Sequence, residues 1–103
     1  QGGAVQGIGW ALNEEYVYGQ DGVLQNPTFL DYRMPLASDL PMIETIIIEV
    51  PNRSHPFGVR GAGEVPIIPP LAAVGSAVAD AIDAPIRALP CSPANVLRAM
   101  RHE

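Results

Sequence analysis

Lysine and arginine are scarce: together they number six in 103 residues, against eleven aspartates plus glutamates, for a formal net charge of −5. Nucleic-acid binding needs basic stripes that neutralise phosphates, and six scattered cations supply none. An anionic membrane surface is disfavoured for the same reason. No apolar run approaches the ~20 residues of a membrane-spanning helix, and the run Ile46-Ile47-Ile48 is closed by Glu49 and Pro51. Cys91 is the single cysteine, which excludes an internal disulfide and fits a reducing, cytoplasmic compartment. Charge of either sign is low. Charged residues make up 17% of the chain, against about 25% in soluble domains. A small domain has much surface to cover with polar groups, so part of this surface is expected to lie against another domain or subunit. The sequence opens on Gln1 without a signal-peptide pattern, and is expected to be a piece of a longer chain.

Hydrophobic residues are plentiful, at 48%, and their spacing sets the expected elements. Val5, Ile8, Leu12 and Tyr16 recur at intervals of three and four and predict a helix over 4–18. Gly2, Gly3, Gly7 and Gly9 crowd its first turns, although each interior glycine costs about 1 kcal/mol against alanine. Such density fits a backbone that passes very close to something, either a packed neighbour or a bound ligand. Asp21-Gly22 and Asn26-Pro27 are turn signals. Leu30, Tyr32 and Met34 alternate in an extended stretch over 28–34, and the isoleucine-rich segment 43–50 reads as the strongest strand. Residues 51–66 form a loop with three prolines and three glycines. Pro69 and Pro70 open a helix of about 70–82, closed by Asp83 and Pro85. Ile86 to Leu89 reads as a short edge strand. Ser92-Pro93 reads as the cap and first position of a last helix over 93–102. The expected class is therefore α+β: a small two-layer unit with an N-terminal helix, strands, then two C-terminal helices.

Chemistry concentrates in His55-Pro-Phe-Gly-Val-Arg-Gly-Ala-Gly-Glu64-Val-Pro66. Gly58, Gly61 and Gly63 allow sharp turns that expose backbone N–H groups, a geometry that cradles anions. Glu64 follows at once and precedes the proline-opened helix. A carboxylate there is either a cap for that helix or, held on a rigid loop, a general base. No Lys-Ser/Thr pair follows, as a P-loop requires, and no compact strand–turn–helix surrounds the glycines, as a dinucleotide fingerprint requires. Gln6 lies among the N-terminal glycines, where its amide either faces solvent or pairs with a polar cofactor. Arg60 either holds an anion or lies on the surface. His55, His102 and Cys91 lack metal-ligand spacing, so no metal-ligating set is assigned. Ser54-His55 are sequence neighbours, which does not make a catalytic pair.

These blocks resemble a known family. Gln1-Gly-Gly-Ala-Val-Gln-Gly-Ile-Gly-Trp-Ala-Leu-Asn-Glu-Glu is similar to a stretch near the carboxy end of the molybdenum-binding large subunit in the xanthine dehydrogenase, aldehyde oxidase and carbon monoxide dehydrogenase family. Asn26-Pro-Thr-Phe-Leu-Asp-Tyr-Arg-Met-Pro resembles the next block. Gly58-Val-Arg-Gly-Ala-Gly-Glu64-Val-Pro resembles the family's Gly-x-Lys-Gly-x-Gly-Glu-Pro-Pro loop, and Pro69-Pro-Leu-Ala and Leu89-Pro-Cys-Ser-Pro-Ala-Asn-Val-Leu-Arg-Ala also fit. Arg60 stands where lysine is common and Val65 where the first proline is common.

The resemblance implies that residues 1–103 are one C-terminal segment of a larger molybdopterin-binding domain. It implies that Glu64 is the base that takes a proton from a Mo-bound hydroxyl, whose oxygen then attacks an electron-poor carbon while a hydride passes to a sulfido ligand. It implies that Gln6, Gly7, Gly61, Ala62 and Gly63 line the pterin. The cofactor is expected in its cytosine dinucleotide form, with iron–sulfur clusters and FAD on partner domains or subunits. Most of the pocket would lie upstream, so the isolated chain is expected to be inactive and to self-associate. The substrate stays open among aldehydes, N-heterocycles and carbon monoxide. A non-catalytic interaction module or remnant derived from the same family is the alternative.

Overall fold

The computed structural model describes residues 1–102. Three helices carry it: α1 (Gly2–Leu12), α2 (Ile68–Ile82) and α3 (Pro93–Met100). Short 3-10 turns occupy Ala37–Asp39 and Pro56–Gly58. The α+β expectation is corrected. Among the described residues the only β pairing is an isolated antiparallel bridge between Tyr18 and Leu24.

Helix α1 packs on α2, and the contact is made of backbone. The carbonyl oxygen of Ile67 lies so close to the α-carbon of Gly7 that a β-carbon there would overlap it. One turn earlier, a β-carbon on Gly3 would stand 3.0 Å from Pro66 Cβ and 3.2 Å from the Gly63 carbonyl oxygen. Glycine costs helix propensity here and returns it as close approach.

Helix α1 is shorter than the predicted 4–18 because its last carbonyls find other partners. The N–H groups of Asn13 and Glu14 both donate to Gly9 O, at 2.8 and 2.9 Å. Cys91 N–H donates to Ala11 O at 2.6 Å, satisfying a carbonyl that a helix end leaves orphaned. The chain then runs out through 15–19 and returns through 23–26. The Gly19 N–H donates to Val23 O at 2.9 Å and the Gln25 N–H to Val17 O at 2.7 Å. The Asn26 amide continues the ladder, accepting from Val17 N–H at 2.9 Å and donating to Glu15 O at 2.7 Å. The expected Asp21-Gly22 turn is present, with Gly22 at φ 78°.

The expected extended stretch 28–34 is a turn instead, because Thr28 O accepts from both Asp31 and Tyr32 N–H groups, at 3.1 and 2.8 Å. Segment 43–50 runs without turn or bend but pairs with no strand among the described residues, and Ile46, Ile47 and Ile48 are 83%, 86% and 83% exposed. Ile86–Leu89 is not a strand either; its Leu89 side chain lies over Gly75 of α2.

The helix-boundary signals were read closely. Helix α2 begins at Ile68, two residues before expectation, with both prolines in its first turn where a missing N–H costs nothing. Asp83 ends it in the left-handed conformation. Ser92 caps α3, its Oγ accepting from Asn95 N–H at 3.3 Å, with Pro93 first in the helix. The last turn stops at Met100 rather than 102.

The buried apolar residues are Ala11, Ala84 and Cys91, where the ends of α1 and α2 meet the turn before α3. Among the described residues no large side chain is fully buried. The accessible surface is 8289 Å², whereas a folded monomer of this mass exposes roughly 5,600 Å². The radius of gyration is 17.2 Å, against about 13 Å for a closed domain of this length.

Two outcomes follow. Gly7→Ala lowers the thermal unfolding midpoint of the protein because the new methyl meets the Ile67 carbonyl, whereas Gly2→Ala, in open space, leaves it unchanged or raises it by at most the effect of about 1 kcal/mol. The second concerns Tyr32, whose hydroxyl donates to Glu14 Oε2 at 2.7 Å. Desolvation first, then the hydrogen bond and charge of Glu14, push its pKa up to about 12. The folded state then holds this proton over pH 10–12 while the unfolded chain has lost it, so stability contributed by the pair falls as pH rises through that window. Phenolate absorbance followed against pH should show one tyrosine titrating late, and Glu14→Gln should bring it part of the way back towards 10.

Candidate functional site

The turn 63–67 feeds α2. The Glu64 carbonyl accepts from the Ile67 N–H at 3.0 Å, closing that turn. Its side chain is exposed, and no side chain caps the amino end of α2. The capping alternative is therefore not what the structure holds: the Glu64 carboxylate has no hydrogen-bond or ion-pair partner among the described residues. Upstream, Arg60 Nε donates to Val50 O at 2.6 Å, tying the start of the glycine loop to the end of segment 43–50. Gly58 lies at φ 69°, a region that a side chain would strain. Its N–H donates to His55 O, and its carbonyl accepts from Asn52 N–H, both at 3.0 Å.

Helix α1 brings Gln6 to the same edge. Gly3 rests on Gly63 and Pro66, and Gly7 on Ile67 and Pro70, so the helix lies across the turn that carries Glu64. Gln6, between those two contacts, is exposed with its amide free of protein partners among the described residues. Gly7 is buried, and its missing side chain is explained by helix packing. Gly61, Ala62 and Gly63 are exposed. A β-carbon on Gly61 or Gly63 would meet nothing within 4 Å, and neither has a positive φ. The folding of this chain therefore does not require glycine at 61 or 63. A requirement there has to come from something that approaches the loop from outside.

The sequence singles out Gln6, Glu64 and the N-terminal glycines, including Gly3, but not Pro66, against which Gly3 packs. The spacing of Gly3 and Gly7, one helical turn apart, was the available signal. His55, His102 and Cys91 do not converge: among the described residues no three His, Cys, Asp or Glu side chains group together. Burial pushes the Cys91 thiol up. Among the described residues no helix is long and apolar enough to cross a membrane.

Residues 1–41 match the molybdopterin cofactor-binding domain family. The likeness extends over the rest of the chain. It is 43% identical over 89% of its length to the xanthine dehydrogenase molybdenum-binding subunit of Escherichia coli O157:H7, and 39% identical over 98% to the nicotine 6-hydroxylase large subunit of Paenarthrobacter nicotinovorans. The crystal structure of quinoline 2-oxidoreductase from Pseudomonas putida 86 superposes over 99% of the chain, with a TM-score of 0.87 and 33% identity. The chain belongs to the xanthine dehydrogenase and aldehyde oxidase family of molybdopterin-dependent oxidoreductases, as a segment of its molybdenum-binding subunit. It spans 12% and 13% of the lengths of the two relatives.

Because Glu64 caps nothing, Glu64→Ala should change unfolding free energy by no more than about 0.5 kcal/mol, as for an ordinary surface site. A capping carboxylate would cost about 0.5–2 kcal/mol, a difference that denaturant titration resolves.

Proposed function

We propose that this chain forms one wall of the molybdenum–pterin site of a hydroxylase, with Glu64 as the base of the reaction and Gln6, Gly7, Gly61, Ala62 and Gly63 against the cofactor. The single observation that carries the reading is the juxtaposition of an unpartnered Glu64 carboxylate with a glycine backbone that this chain's own packing leaves open. Gln6 and the open loop 61–63 fit the group, whereas Gly7 is buried against Ile67 and serves by seating α1. A large anionic pterin needs close access to backbone N–H groups, and open glycines at 61 and 63 give it. The Gln6 amide can both donate to and accept from a polar ring edge.

When bound, the cofactor supplies the oxidation. The chain's own contribution is position and proton transfer. The turn closed by Glu64 O and Ile67 N–H fixes the backbone of the base, and the α1 contacts at Gly3 and Gly7 fix that turn against Gln6. One Oε of Glu64 accepts the proton of the group that attacks the substrate, a role that typically contributes about 10²–10⁴-fold to rate. The substrate is one of the family's classes: an aldehyde, an N-heterocycle or carbon monoxide. Arg60 does not free its whole guanidinium for them, since Nε is held by Val50 O.

The same reading assigns the cofactor its cytosine dinucleotide form, places iron–sulfur clusters and FAD on partner subunits or domains, and locates the assembly in the cytoplasm. What supports the need for partners is the exposed apolar surface, including Phe57 at 101% and Leu30 at 95%. By the same token the isolated chain is inactive and self-associates.

Glu64→Gln keeps the size of the side chain and removes the base. In the full assembly it should lower turnover at least about 100-fold with molybdenum content unchanged by metal analysis. Near-normal turnover with the cofactor retained would refute the base role.

A further inference from the structure

A second charged feature lies away from the Glu64 edge and takes no part in it. Between Ala84 and His102 the sequence has no aspartate or glutamate but contains Arg87, Arg98 and Arg101. In a chain of net charge −5 this is a segregated basic stretch. The structure folds it into a cleft of about 440 Å³ between the segment after α2 and one face of α3. Asn95, Arg98 and Ala99 line it from α3, His102 from the turn beyond that helix and Arg87 from the segment after α2, with Ile86 and Ala88 as apolar lining.

The cleft has a fixed floor and free cations. Asn95 Nδ2 donates to Pro90 O at 2.7 Å, and its N–H donates to the Ser92 cap, so the first turn of α3 is pinned to the turn that precedes it. Arg87 and Arg98 have no carboxylate partner among the described residues, where the only ion pair joins Arg33 and Asp39 at 3.9 Å. Arg87 and Arg98 line one cleft from different segments, and each guanidinium can offer paired N–H donors to an oxyanion. The volume lies within the roughly 300–1,000 Å³ of small-molecule sites, and the Ile86 and Ala88 lining leaves apolar contact for an organic substituent.

We infer that the cleft between residues 85–88 and α3 binds a small phosphoryl-bearing anion, held by Arg87 and Arg98 with His102 at its rim. The inference does not rest on the molybdenum reading, because the cleft shares no residue with the Glu64 edge.

The test is calorimetric titration of the protein with sodium pyrophosphate at low ionic strength, with sodium chloride at matched ionic strength as the control. Saturable binding is expected, weakened at least about tenfold by Arg87→Ala or by Arg98→Gln and partly kept by Arg98→Lys. Arg53→Ala, on a different loop, should leave it unchanged. Absence of saturable binding, or an equal loss with Arg53→Ala, would overturn the site. Tighter binding of an oligoglutamate peptide than of pyrophosphate would overturn the ligand assignment in favour of an acidic protein partner. Circular dichroism of each variant shows whether α3 is still formed, and Arg98→Lys keeps the charge test valid if the glutamine variant is unfolded.

Discussion

The contact between the Ile67 carbonyl and the α-carbon of Gly7 is the constraint on which the arrangement depends. Any side chain at position 7 would push α1 away from the turn into α2. That turn carries Glu64, and α1 carries Gln6, so their relation is set by backbone touching backbone. Contacts of this kind have no rotamers to relax. The far end of α1 is fixed in the same way, by the Cys91 N–H on the Ala11 carbonyl. The two fixings leave α1 little freedom to slide along α2.

Little else in the chain is packed in this manner. The buried set is two alanines and a cysteine, which removes far less apolar area from water than 103 ordered residues require to offset their lost conformational entropy. Meanwhile Ile46, Ile47, Ile48, Phe29 and Met42 stand open. The same conformation recurs at a TM-score of 0.87 within a chain of which this one covers 13%. The shape is thus one that relatives hold inside a much larger molecule, where apolar surface of this extent has neighbours.

This explains which features were legible in the sequence. Boundaries set by local chemistry were read within two residues: Ser92-Pro93 at the start of α3, Asp83 and Pro85 at the end of α2, and the proline pair at its start. Those signals act over one turn and need no distant partner. The strands failed for the opposite reason. Residues 43–50 have the alternation and β-branching of a strand, yet a strand exists only when another pairs with it, and no partner lies among the described residues. The overrun of α1 to residue 18 had a third cause. Tyr16 continued the apolar stripe, but the Asn26 side chain captured the backbone at Glu15 and Val17, and nothing in the stripe announced that competitor. For the candidate site, the sequence singles out Glu64 and Gln6 as residues. That they share an edge was not legible, since it depends on the seating of Gly3 and Gly7.

The glycines divide into two groups once their surroundings are compared, and the division sharpens the functional reading. Gly3 and Gly7 are explained inside the chain, because a β-carbon at either would press on Pro66, Gly63 or Ile67. Gly61 and Gly63 have no such explanation: their β-carbon positions are empty and their φ values ordinary. Glycine in an exposed loop carries an entropic cost in folding, and nothing inside the chain explains it at these two positions. A body lying along the loop, close enough that a methyl group would obstruct it, would account for both glycines under the proposed function. It would also lie beside the carboxylate of Glu64, which pairs with no cation among the described residues. The pterin of the proposed function is large enough to lie along such a loop, and its contact with Gly61 and Gly63 is the part of that proposal these glycines support.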